Sequence, residues 1–374
     1  MKIKLYNKIA KVGLDQIPGA QFGEDLAEFD GVLVRSAALH DEKFPASLKA
    51  IARAGAGVNN IPLDRCTDEG ICVFNTPGAN ANAVKELAVA ALLLASRDIL
   101  GGARWAETLA GDPDAAKKVE KGKSAFAGTE IAGKTLGIFG LGAIGGMLAN
   151  AASALGMKVM GFDPWLSVPA ALRLVPGVTV VSDKNEIFKN SDYISVHVPS
   201  TPENRGMINA DSIALMKDGA AVINLARADL VNAEDVLAAL ESGKLKKYVT
   251  DFPTPEVIGK KGVVAIPHLG ASTEEAEDNC AVMAARQLKV FIENGNVKNS
   301  VNFPAASLPR TGAQRLSVLF RGECPAAGQA VAAASSSVCA KRGELGYAII
   351  ETADAGAAEK ALDGAPGVIR VFRF

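Results

Sequence analysis

Short apolar runs alternate with longer segments of helical periodicity along most of the chain. The runs "GVLVRSA" at 31–37 and "GVVAIPH" at 262–268 are typical of buried strands. Helical patterns lie between such runs, for example at 82–99, which contains no turn residue, and at 232–243, which ends at a glycine. Alternation of this kind indicates parallel sheets covered on both faces by helices. The pattern therefore predicts an α/β protein.

The pattern changes after residue 304. Residues 305–313, "AASLPRTGA", are mostly small, polar or proline, and they predict a linker. Residues 314–374 then combine short apolar runs with one clear helical segment and predict a small α+β domain. The Ala/Ser-rich stretch 330–338 within it is compatible with a helix or with a poorly specified segment.

Composition excludes several classes of function. The 374 residues are 49% hydrophobic and 22% charged, as in ordinary globular proteins, and the net charge is −1, which argues against a nucleic-acid binder. The five cysteines are scattered, without a Cys-x-x-Cys or Cys/His metal pattern, so we expect no metal and reduced thiols in a cytoplasmic protein. We also expect no membrane association, because neither a signal peptide nor a spanning segment is evident.

A glycine motif, "GIFGLGAIGG", follows a predicted strand and opens a predicted helix. Gly140, Gly142 and Gly145 give the spacing G-x-G-x-x-G, and Asp163 lies 18 residues after the third glycine, at the end of the next strand. This context predicts a dinucleotide site: Gly140 for the turn, Gly142 for approach of the pyrophosphate, Gly145 for packing of helix on strand. Because Asp163 accepts hydrogen bonds from ribose hydroxyls and no basic residue follows it, NAD is favoured over NADP. The alternative is a structural βα turn in another α/β protein.

Polar residues follow several predicted strands. Arg227, Asp251, His268 and His197 each stand at such a position, and Glu256 follows Asp251 by five residues. The carboxyl ends of parallel strands are where open α/β sheets bind ligands. An arginine, a carboxylate and a histidine beside NAD suit hydride transfer at a hydroxy acid. Arginine would bind the substrate carboxylate, histidine would exchange the hydroxyl proton, and glutamate would orient the imidazole and raise its pKa.

Each of these residues also has a structural alternative. Arg227 and Glu256 could form a surface ion pair, His268 could be a structural histidine, and Asp251 could accept hydrogen bonds in a turn. For His197, a wall of the cofactor site and strand packing are about equally compatible with the sequence. The catalytic interpretation rests on the occurrence of these residues together.

Taken together, the motifs resemble the D-isomer-specific 2-hydroxyacid dehydrogenase family. The resemblance covers roughly residues 32–304 and rests on segments in the family's order: "VRSA", "IARAGAGVNNIP", "NTPGANANAVKELA", "FGLGAIGG", "HVPSTPENRGMIN", "NLARADLV", "DFPTPE" and "PHLGAST". Two departures are mild. Asn59 stands where the family commonly has aspartate, and Ala228 replaces a glycine, which requires a negative φ at that position.

The resemblance implies that Arg227, Glu256 and His268 are catalytic. It implies further nucleotide contacts at Ala143, Ile144, Val198, Pro199, Leu225, Ala226, Asp251, Gly270 and Ala271. It implies substrate contacts from the N-terminal region at Arg35, Ser36, Arg53, Gly55, Ala56, Gly57, Val58 and Asn80. Arg35 and Arg53 would supply the positive charge that a phosphorylated 2-hydroxy acid requires; the alternative is that both are solvated surface residues.

The family architecture implies a flavodoxin-like substrate domain at 1–97 and 275–304 and a Rossmann-type NAD domain at 98–274, with the active site in the cleft between them. The linker 305–313 then leads to 314–374, which resembles an ACT domain of ferredoxin-like βαββαβ fold. That match is partial, because the usual Val-Pro-Gly turn reads "CPAAG" and the Gly-Ile-Asn-Ile strand motif is missing from "AAASSSVCAKRG".

The expected activity is NAD-dependent oxidation of 3-phospho-D-glycerate. The alternatives are a reductase of hydroxypyruvate, glyoxylate or another short 2-keto acid, and, in a different class, an NAD(H)-sensing protein similar to corepressors of this scaffold. The expected partners are the small-molecule substrate, further copies of the chain in a homodimer or homotetramer, and an amino-acid effector, serine, at the C-terminal domain.

Overall fold

The computed structural model describes the whole chain, Met1–Phe374, and the chain divides into two compact units. The first comprises Met1–Asn80 and Glu274–Phe374, and the second comprises Ala81–Thr273. This division places residues 81–97 with the second unit and residues 314–374 with the first, whereas the sequence assigned them otherwise. The predicted domain borders therefore stay a prediction. No helix is both long and apolar enough to cross a bilayer.

Residues 1–80 form a five-stranded parallel sheet with the order β2-β1-β3-β4-β5. Its elements are β1 (Lys2–Tyr6), α1 (Lys11–Leu14), β2 (Gln21–Gly23), β3 (Gly31–Val34), β4 (Ala50–Arg53), α2 (Leu63–Asp68) and β5 (Cys72–Phe74). Strands β3 and β5 are buried at every position, as their continuous apolar runs predict. This strand order is that of flavodoxin-like folds, so the predicted fold is confirmed.

Residues 81–273 form a seven-stranded parallel sheet with the order β12-β11-β10-β9-β6-β7-β8. Its strands are β6 (Thr135–Phe139), β7 (Lys158–Phe162), β8 (Thr179–Val181), β9 (Tyr193–Val196), β10 (Ala220–Asn224), β11 (Leu245–Thr250) and β12 (Val263–Ala265). Its helices are α3 (Ala81–Ser96), α4 (Ile99–Glu107), α5 (Ala115–Gly122), α6 (Ala143–Ala154), α7 (Val168–Ala171), α8 (Lys184–Asn190), α9 (Ala210–Leu215) and α10 (Ala233–Ser242). The chain reverses direction across the sheet between β6 and β9, which is the Rossmann arrangement and confirms the prediction.

Two apolar cores cover the two faces of this sheet. One packs α3 and α6 against the strands, and the other packs α8, α9 and α10 against the opposite face. Helix α10 begins where Asn232 Oδ1 accepts a hydrogen bond from Asp235 N at 3.2 Å and ends at Gly243, which has a φ of 80°. The terminal glycine therefore acts as the sequence predicts, and Asn232 caps the start of the helix.

Helices α4 and α5 were not predicted from the sequence. Neither contains a buried residue, and both contact mainly the short 3-10 helix Lys123–Phe126 that follows them. The ring of Trp105 packs on Phe126 with the centroids 5.3 Å apart. Helical periodicity is weak evidence for a helix when no apolar face is buried, which explains the omission.

The remaining elements are α11 (Glu274–Asn294), β13 (Gln314–Arg321), α12 (Pro325–Ala332), β14 (Ser336–Arg342), β15 (Leu345–Thr352), α13 (Ala355–Leu362) and β16 (Val368–Arg373). The last four strands form an antiparallel sheet with the order β14-β15-β13-β16. The βαββαβ topology confirms the ferredoxin-like prediction. The Ala/Ser-rich stretch, which the sequence left open, contains the end of α12 and the start of β14. Assignment to the ACT family stays a prediction.

One hydrophobic core joins this antiparallel sheet to α11 and to the flavodoxin-like sheet within the first unit. Phe291 of α11 lies edge-on to Phe74, Phe303 and Phe372, with ring centroids 5.5–6.1 Å apart. The Tyr347 hydroxyl donates a hydrogen bond to the carbonyl of Gly295 at 2.7 Å. The C-terminal sheet is therefore packed on its neighbour through a largely buried face.

The predicted linker is also held in place. Arg315 and Glu351 form an ion pair at 2.6 Å with both side chains completely buried. The Arg315 guanidinium donates further hydrogen bonds to the carbonyls of Leu308 and Pro309, while Thr311 Oγ1 donates to Glu351 at 2.6 Å. A composition typical of flexible loops is compatible with this order because the linker contributes mainly backbone groups, which any sequence provides, and a single threonine hydroxyl.

Candidate active site

The three fingerprint glycines occupy the turn between β6 and α6. Gly140 has a φ of +88°, and a Cβ there would lie 2.6 Å from the carbonyl oxygen of His197. A Cβ on Gly145 would lie 1.9 Å from the carbonyl oxygen of Gly140. Both positions therefore require glycine for the turn itself, whatever binds there.

Gly142 differs from the other two because its space is open. It precedes the first residue of α6 with a φ of −65°, and a Cβ built on it would meet no atom within 4 Å. The first backbone N–H groups of α6, including those of Ala143 and Ile144, have no partner within the helix. An open space beside free N–H groups at a helix N-terminus suits a pyrophosphate, so the residues present fit a dinucleotide.

Asp163 follows β7 and lies beside the fingerprint. Its Oδ2 accepts a hydrogen bond from Leu141 N and its Oδ1 accepts one from Trp165 N, both at 2.9 Å. These two bonds fix the carboxylate next to the glycine turn. Each oxygen keeps a second lone pair, which can accept from a ribose hydroxyl as the sequence predicts.

His197 stands at the end of β9. Its Nε2 lies 2.8 Å from Ser195 Oγ, and its Nδ1 is buried without a hydrogen-bonding partner. Burial lowers the pKa of His197 to about 4, so the ring is neutral at physiological pH. Val198 follows it, and its Cγ1 would lie 3.1 Å from a Cβ on Gly140. Both residues therefore line the glycine turn, next to the exposed Pro199.

A buried asparagine, which the sequence analysis did not single out, shapes the turn after β10. Asn224 Oδ1 accepts from Ala226 N at 3.1 Å and its Nδ2 donates to the carbonyl of Arg227 at 2.7 Å. This pair of bonds places Leu225 and Ala226 at the strand end and leaves the side chain of Arg227 exposed. Residue 228 begins a 3-10 helix, Ala228–Leu230, and avoids positive φ, as its replacement of glycine requires.

Phe252 contacts two of the predicted catalytic side chains. Its ring centroid lies 4.3 Å from that of His268 and 5.3 Å from the Arg227 guanidinium carbon. No sequence motif distinguishes Phe252, although it lies between Asp251 and a proline at a strand end. The structure therefore brings Arg227 and His268 to the same aromatic ring.

Asp251, which directly precedes Phe252, is buried. Its Oδ2 accepts a hydrogen bond from Gly270 N at 3.0 Å, and its Oδ1 is buried without a partner. Burial raises the pKa of Asp251, while the Gly270 N–H and the charges of His268 and Arg227 oppose that rise. An unpaired carboxyl oxygen at a predicted cofactor contact is what a bound nicotinamide amide would satisfy. A Cβ on Gly270 would lie 3.0 Å from Asp251 Oδ2, and Ala271 follows Gly270 in the loop that leads to α11.

Glu256 does not contact His268 in this structure. Both side chains are exposed, and neither a hydrogen bond nor an ion pair joins them. The nearby Thr254 hydroxyl, together with Glu256's own backbone N–H, lowers the pKa of the Glu256 carboxyl. The predicted role of Glu256 in orienting the imidazole therefore stays a prediction.

The predicted substrate arginines lie together in the first unit. Arg53 Nε donates to the carbonyl of Arg35 at 2.9 Å, and Arg53 Nη1 donates to the carbonyl of Gly57. Arg35 forms an ion pair with Glu277 of α11 at 2.6 Å. Asn7, in a left-handed conformation with a φ of 69°, accepts a hydrogen bond from Ser36 N at 2.9 Å. The loop after β3 and the end of β4 thus form one polar cluster.

Two further hydrogen bonds hold the loop that joins Arg53 to Val58. Thr76 Oγ1 accepts from Gly55 N at 2.8 Å, and Asn75 Nδ2 donates to the carbonyl of Ala56 at 2.7 Å. Thr76 and Asn75 belong to the segment that ends at Asn80, another predicted substrate contact. The loop and this segment are therefore connected directly.

The fold and the glycine turn define a Rossmann-type dinucleotide-binding protein with a flavodoxin-like domain. A family model described as D-isomer specific 2-hydroxyacid dehydrogenase, NAD binding domain, matches residues 89–270. Residues 89–270 belong to the D-isomer-specific 2-hydroxyacid dehydrogenase family, and the prediction of NAD as the cofactor is confirmed.

Curated relatives include two D-3-phosphoglycerate dehydrogenases. That of Synechocystis sp. is 36% identical over 306 residues, which cover 79% of this chain and 52% of the relative. That of Methanocaldococcus jannaschii is 36% identical over 266 residues, which cover 69% of this chain and 48% of the relative. This chain spans about half the length of the curated relatives it matches.

Solved structures of similar fold include the NAD⁺-bound 3-phosphoglycerate dehydrogenase of Entamoeba histolytica. It has a TM-score of 0.62 and 28% sequence identity, and the match covers 81% of this chain and 98% of that one. D-mandelate dehydrogenase of Rhodotorula graminis has a TM-score of 0.68 at 24% identity, covering 82% of this chain and 99% of that one. The latter likeness concerns the fold alone.

Proposed function

We propose that the protein is an NAD-dependent dehydrogenase that oxidises 3-phospho-D-glycerate to 3-phosphohydroxypyruvate, the first step of serine biosynthesis. The observation that carries this proposal is the packing of Arg227 and His268 on Phe252, next to the buried Asp251, in the domain with the NAD fingerprint. The curated relatives support the choice of substrate by their names.

Each side chain has a distinct task in this reaction. NAD, when bound, accepts the hydride from the carbon that carries the hydroxyl. His268 removes the hydroxyl proton during oxidation and returns it in the reverse direction. Arg227 binds the substrate carboxylate through paired N–H donors. Glu256 orients His268 and favours its protonated form once the two side chains meet.

The phosphate of the substrate requires positive charge beyond Arg227. Arg53 is anchored by backbone carbonyls of Arg35 and Gly57, which direct it into the loop predicted to bind substrate. The remaining charge of this cluster is supplied by Arg35, which Glu277 partly neutralises. We assign phosphate recognition to Arg53 in particular.

An NADH fluorescence assay against a panel of 2-keto acids tests the proposal. We expect turnover with 3-phosphohydroxypyruvate, and we expect Arg53→Gln to raise its KM far more than the KM of glyoxylate or hydroxypyruvate. Equal effects on phosphorylated and unphosphorylated acids would instead support the short-chain reductase. Tight NADH binding without turnover on any acid would support a cofactor-sensing protein similar to the corepressors of this scaffold.

We also propose that the protein forms a homodimer or homotetramer. Helices α4 and α5 bury no residue, and Ile99, Leu100 and Val119 are 46%, 38% and 37% exposed. Short helices without a buried apolar face are marginal in water, so a second copy is the natural cover for them. Light scattering on the full chain should give a multiple of 38.7 kDa, and Ile99→Asp with Val119→Asp should reduce it.

The predicted serine effector is proposed for the C-terminal domain. A cavity of about 350 Å³ lies where the loop after β13 leads into α12, and it is lined by Glu323 and Lys341 among others. Opposite charges on one cavity suit a small zwitterion. Inhibition of turnover by added serine, lost in Lys341→Gln, is the expected result.

The cytoplasmic location is proposed from the five cysteines, all of which are free thiols.

A further inference from the structure

A groove runs along the outer face of α11, away from the core of the first unit. We call it the α11 groove; its volume is about 480 Å³, within the range of small-molecule sites. Its lining residues are Ala79, Asn279, Val282, Met283, Arg286, Gln287, Val290, Asn296, Lys298 and Asn299. The function proposed above uses none of them.

Helical geometry explains why the floor of the groove is apolar. The lining positions on α11 are 279, 282, 283, 286, 287 and 290, which repeat at the i, i+3, i+4, i+7 spacing of one helix face. The opposite face, with Ala284, Leu288 and Phe291, is completely buried in the core. Val282 and Met283 are only half-buried, and Val290 is 41% exposed. Apolar surface thus remains uncovered inside a concave site.

The rim of the groove is cationic. Arg286 and Lys298 stand on it, and no carboxylate is among the lining residues. Arg286 uses Nε to donate a hydrogen bond to Gln16 Oε1 at 2.9 Å, which fixes the guanidinium and leaves its two terminal nitrogens available. Asn296 uses its Oδ1 to accept from Leu308 N, so its amide nitrogen is also available as a donor.

We propose that the α11 groove binds a small organic anion, a carboxylate or phosphate monoester carried on an apolar body. Arg286 and Lys298 would bind the anionic group by charge-assisted hydrogen bonds, while Val282, Met283 and Val290 cover the apolar body. An anionic group is inferred because Arg286 and Lys298 have no carboxylate beside them in the groove. An apolar body is inferred because the apolar side chains on the floor of the groove are uncovered.

A chain of hydrogen bonds leads from the groove to the loop of Arg53. Gln287 accepts from Asn299 Nδ2 at 2.7 Å and donates through Nε2 to the carbonyl of Asn75 at 2.9 Å. Asn75 in turn donates to the carbonyl of Ala56 at 2.7 Å. Anion binding that moves Gln287 therefore changes the loop predicted to face the substrate. This coupling rests on the proposed function, whereas binding itself does not.

Binding is tested through Met283, which lies in the groove, by methyl-¹³C labelling of the methionines and assignment with Met283→Leu. The probes are phenyl phosphate, benzoate, inorganic phosphate and benzyl alcohol. Saturable shifts of the Met283 methyl are expected with the first two and much weaker ones with the last two. The phosphate and carboxylate arms distinguish which anionic group the groove prefers.

The decisive comparison uses two charge-matched double variants. Arg286→Gln with Lys298→Gln should weaken the affinity for phenyl phosphate at least about tenfold. Lys8→Gln with Lys43→Gln removes the same charge from exposed positions elsewhere in the unit and should leave the affinity unchanged. Absence of any Met283 shift, or equal loss in both double variants, would overturn the proposed site.

Coupling is measured as the KM of the hydroxy acid with and without saturating phenyl phosphate. We expect a change of about fivefold or more that is abolished by Gln287→Leu, in which the Met283 shift persists. Competition at the active site would survive in Arg286→Gln with Lys298→Gln, so it is distinguishable. An unchanged KM despite a Met283 shift overturns the coupling, and a chain without turnover refutes the proposed function while leaving the binding test intact.

Discussion

His268 and Phe252 pack ring against ring, with their centroids 4.3 Å apart and their planes inclined by 46°. The same phenylalanine lies under the guanidinium of Arg227 at 5.3 Å. Both predicted catalytic side chains are exposed, and this aromatic ring contacts each of them. The Arg227 guanidinium also donates a hydrogen bond through Nη1 to the carbonyl of Ala226 at 2.6 Å. We therefore expect Phe252 to position both side chains.

Replacement of Phe252 tests this arrangement. Phe252→Leu should lower kcat about tenfold and raise the KM of the hydroxy acid, because both His268 and Arg227 gain freedom. The Kd of NADH should not change. Phe252→Tyr keeps the ring and should restore both constants, whereas His268→Ala should cost roughly 10²–10⁴ in turnover. An unaltered KM in the leucine variant would contradict the positioning role.

A matched pair of glycine substitutions separates folding from cofactor binding. Gly145→Ala places a Cβ 1.9 Å from a carbonyl oxygen and should destabilise the protein by about 1–3 kcal/mol or more. Gly142→Ala places its methyl group in open space and should leave stability in the absence of cofactor within about 0.5 kcal/mol. Only NADH affinity should fall in the latter, as fluorescence titration can show. Normal NADH affinity in Gly142→Ala would remove the pyrophosphate from that space.

The buried pair Arg315–Glu351 should contribute strongly to stability. Glu351→Gln leaves the buried Arg315 without its counter-charge and should cost about 3–5 kcal/mol in urea denaturation. Asp68→Asn breaks the exposed ion pair with Arg321 and should cost less than about 1 kcal/mol. Similar costs for the two would mean that burial of the Arg315 pair is incomplete in solution.

The same glutamate predicts acid sensitivity. Burial disfavours its charged form, but hydrogen bonds from Thr311 and Arg315 outweigh this and keep the pKa of Glu351 below its ordinary value. The stabilisation that charged Glu351 provides is therefore fully present above the pKa of this residue in the unfolded chain, about 4.3, and it is lost as the pH falls through the lower pKa of the folded state. In Glu351→Gln, the free energy of unfolding should depend less on pH in this acidic range.

His197 predicts a second pH dependence at higher pH. Because burial lowers the pKa of the folded His197 to about 4, the unfolded chain binds a proton first as the pH falls below about 6.5. Stability should decline between these values, by at most about 1.4 kcal/mol per pH unit. His197→Gln should reduce the slope of urea stability against pH in that window, and an unchanged slope would assign it to other groups.

Local sequence signals predicted the parts of the fold and site that depend on short segments. The turn at Gly140 and the helix end at Gly243 need a positive φ, which only a few residue types adopt readily. Glycine at these positions therefore predicts the turn and the helix end from a single sequence. The strand orders followed from the family resemblance. The roles of Phe252 and Asn224 could not be predicted, since a phenylalanine or asparagine after a strand has many uses that only tertiary contacts distinguish.

The predicted contact between Glu256 and His268 illustrates the opposite limit. Strand-end position correctly brought Arg227 and His268 to one ring, because parallel strands end at a common edge. Glu256 lies five residues beyond its strand, in an exposed loop, and strand order does not determine where such a side chain points. Helices α4 and α5 were not predicted for a related reason. They do not pack against the core, so the sequence shows no apolar face that would indicate a helix.

The aromatic cluster around Phe291 has a consequence for proteolysis and thermal unfolding of the chain. One hydrophobic core contains phenylalanines from both sides of the predicted linker, namely Phe74 and Phe303 before it and Phe372 after it. A protease that nicks residues 305–313 would therefore leave two fragments that stay associated and melt together. A shortened chain that ends at the linker would instead expose this apolar surface to solvent and aggregate.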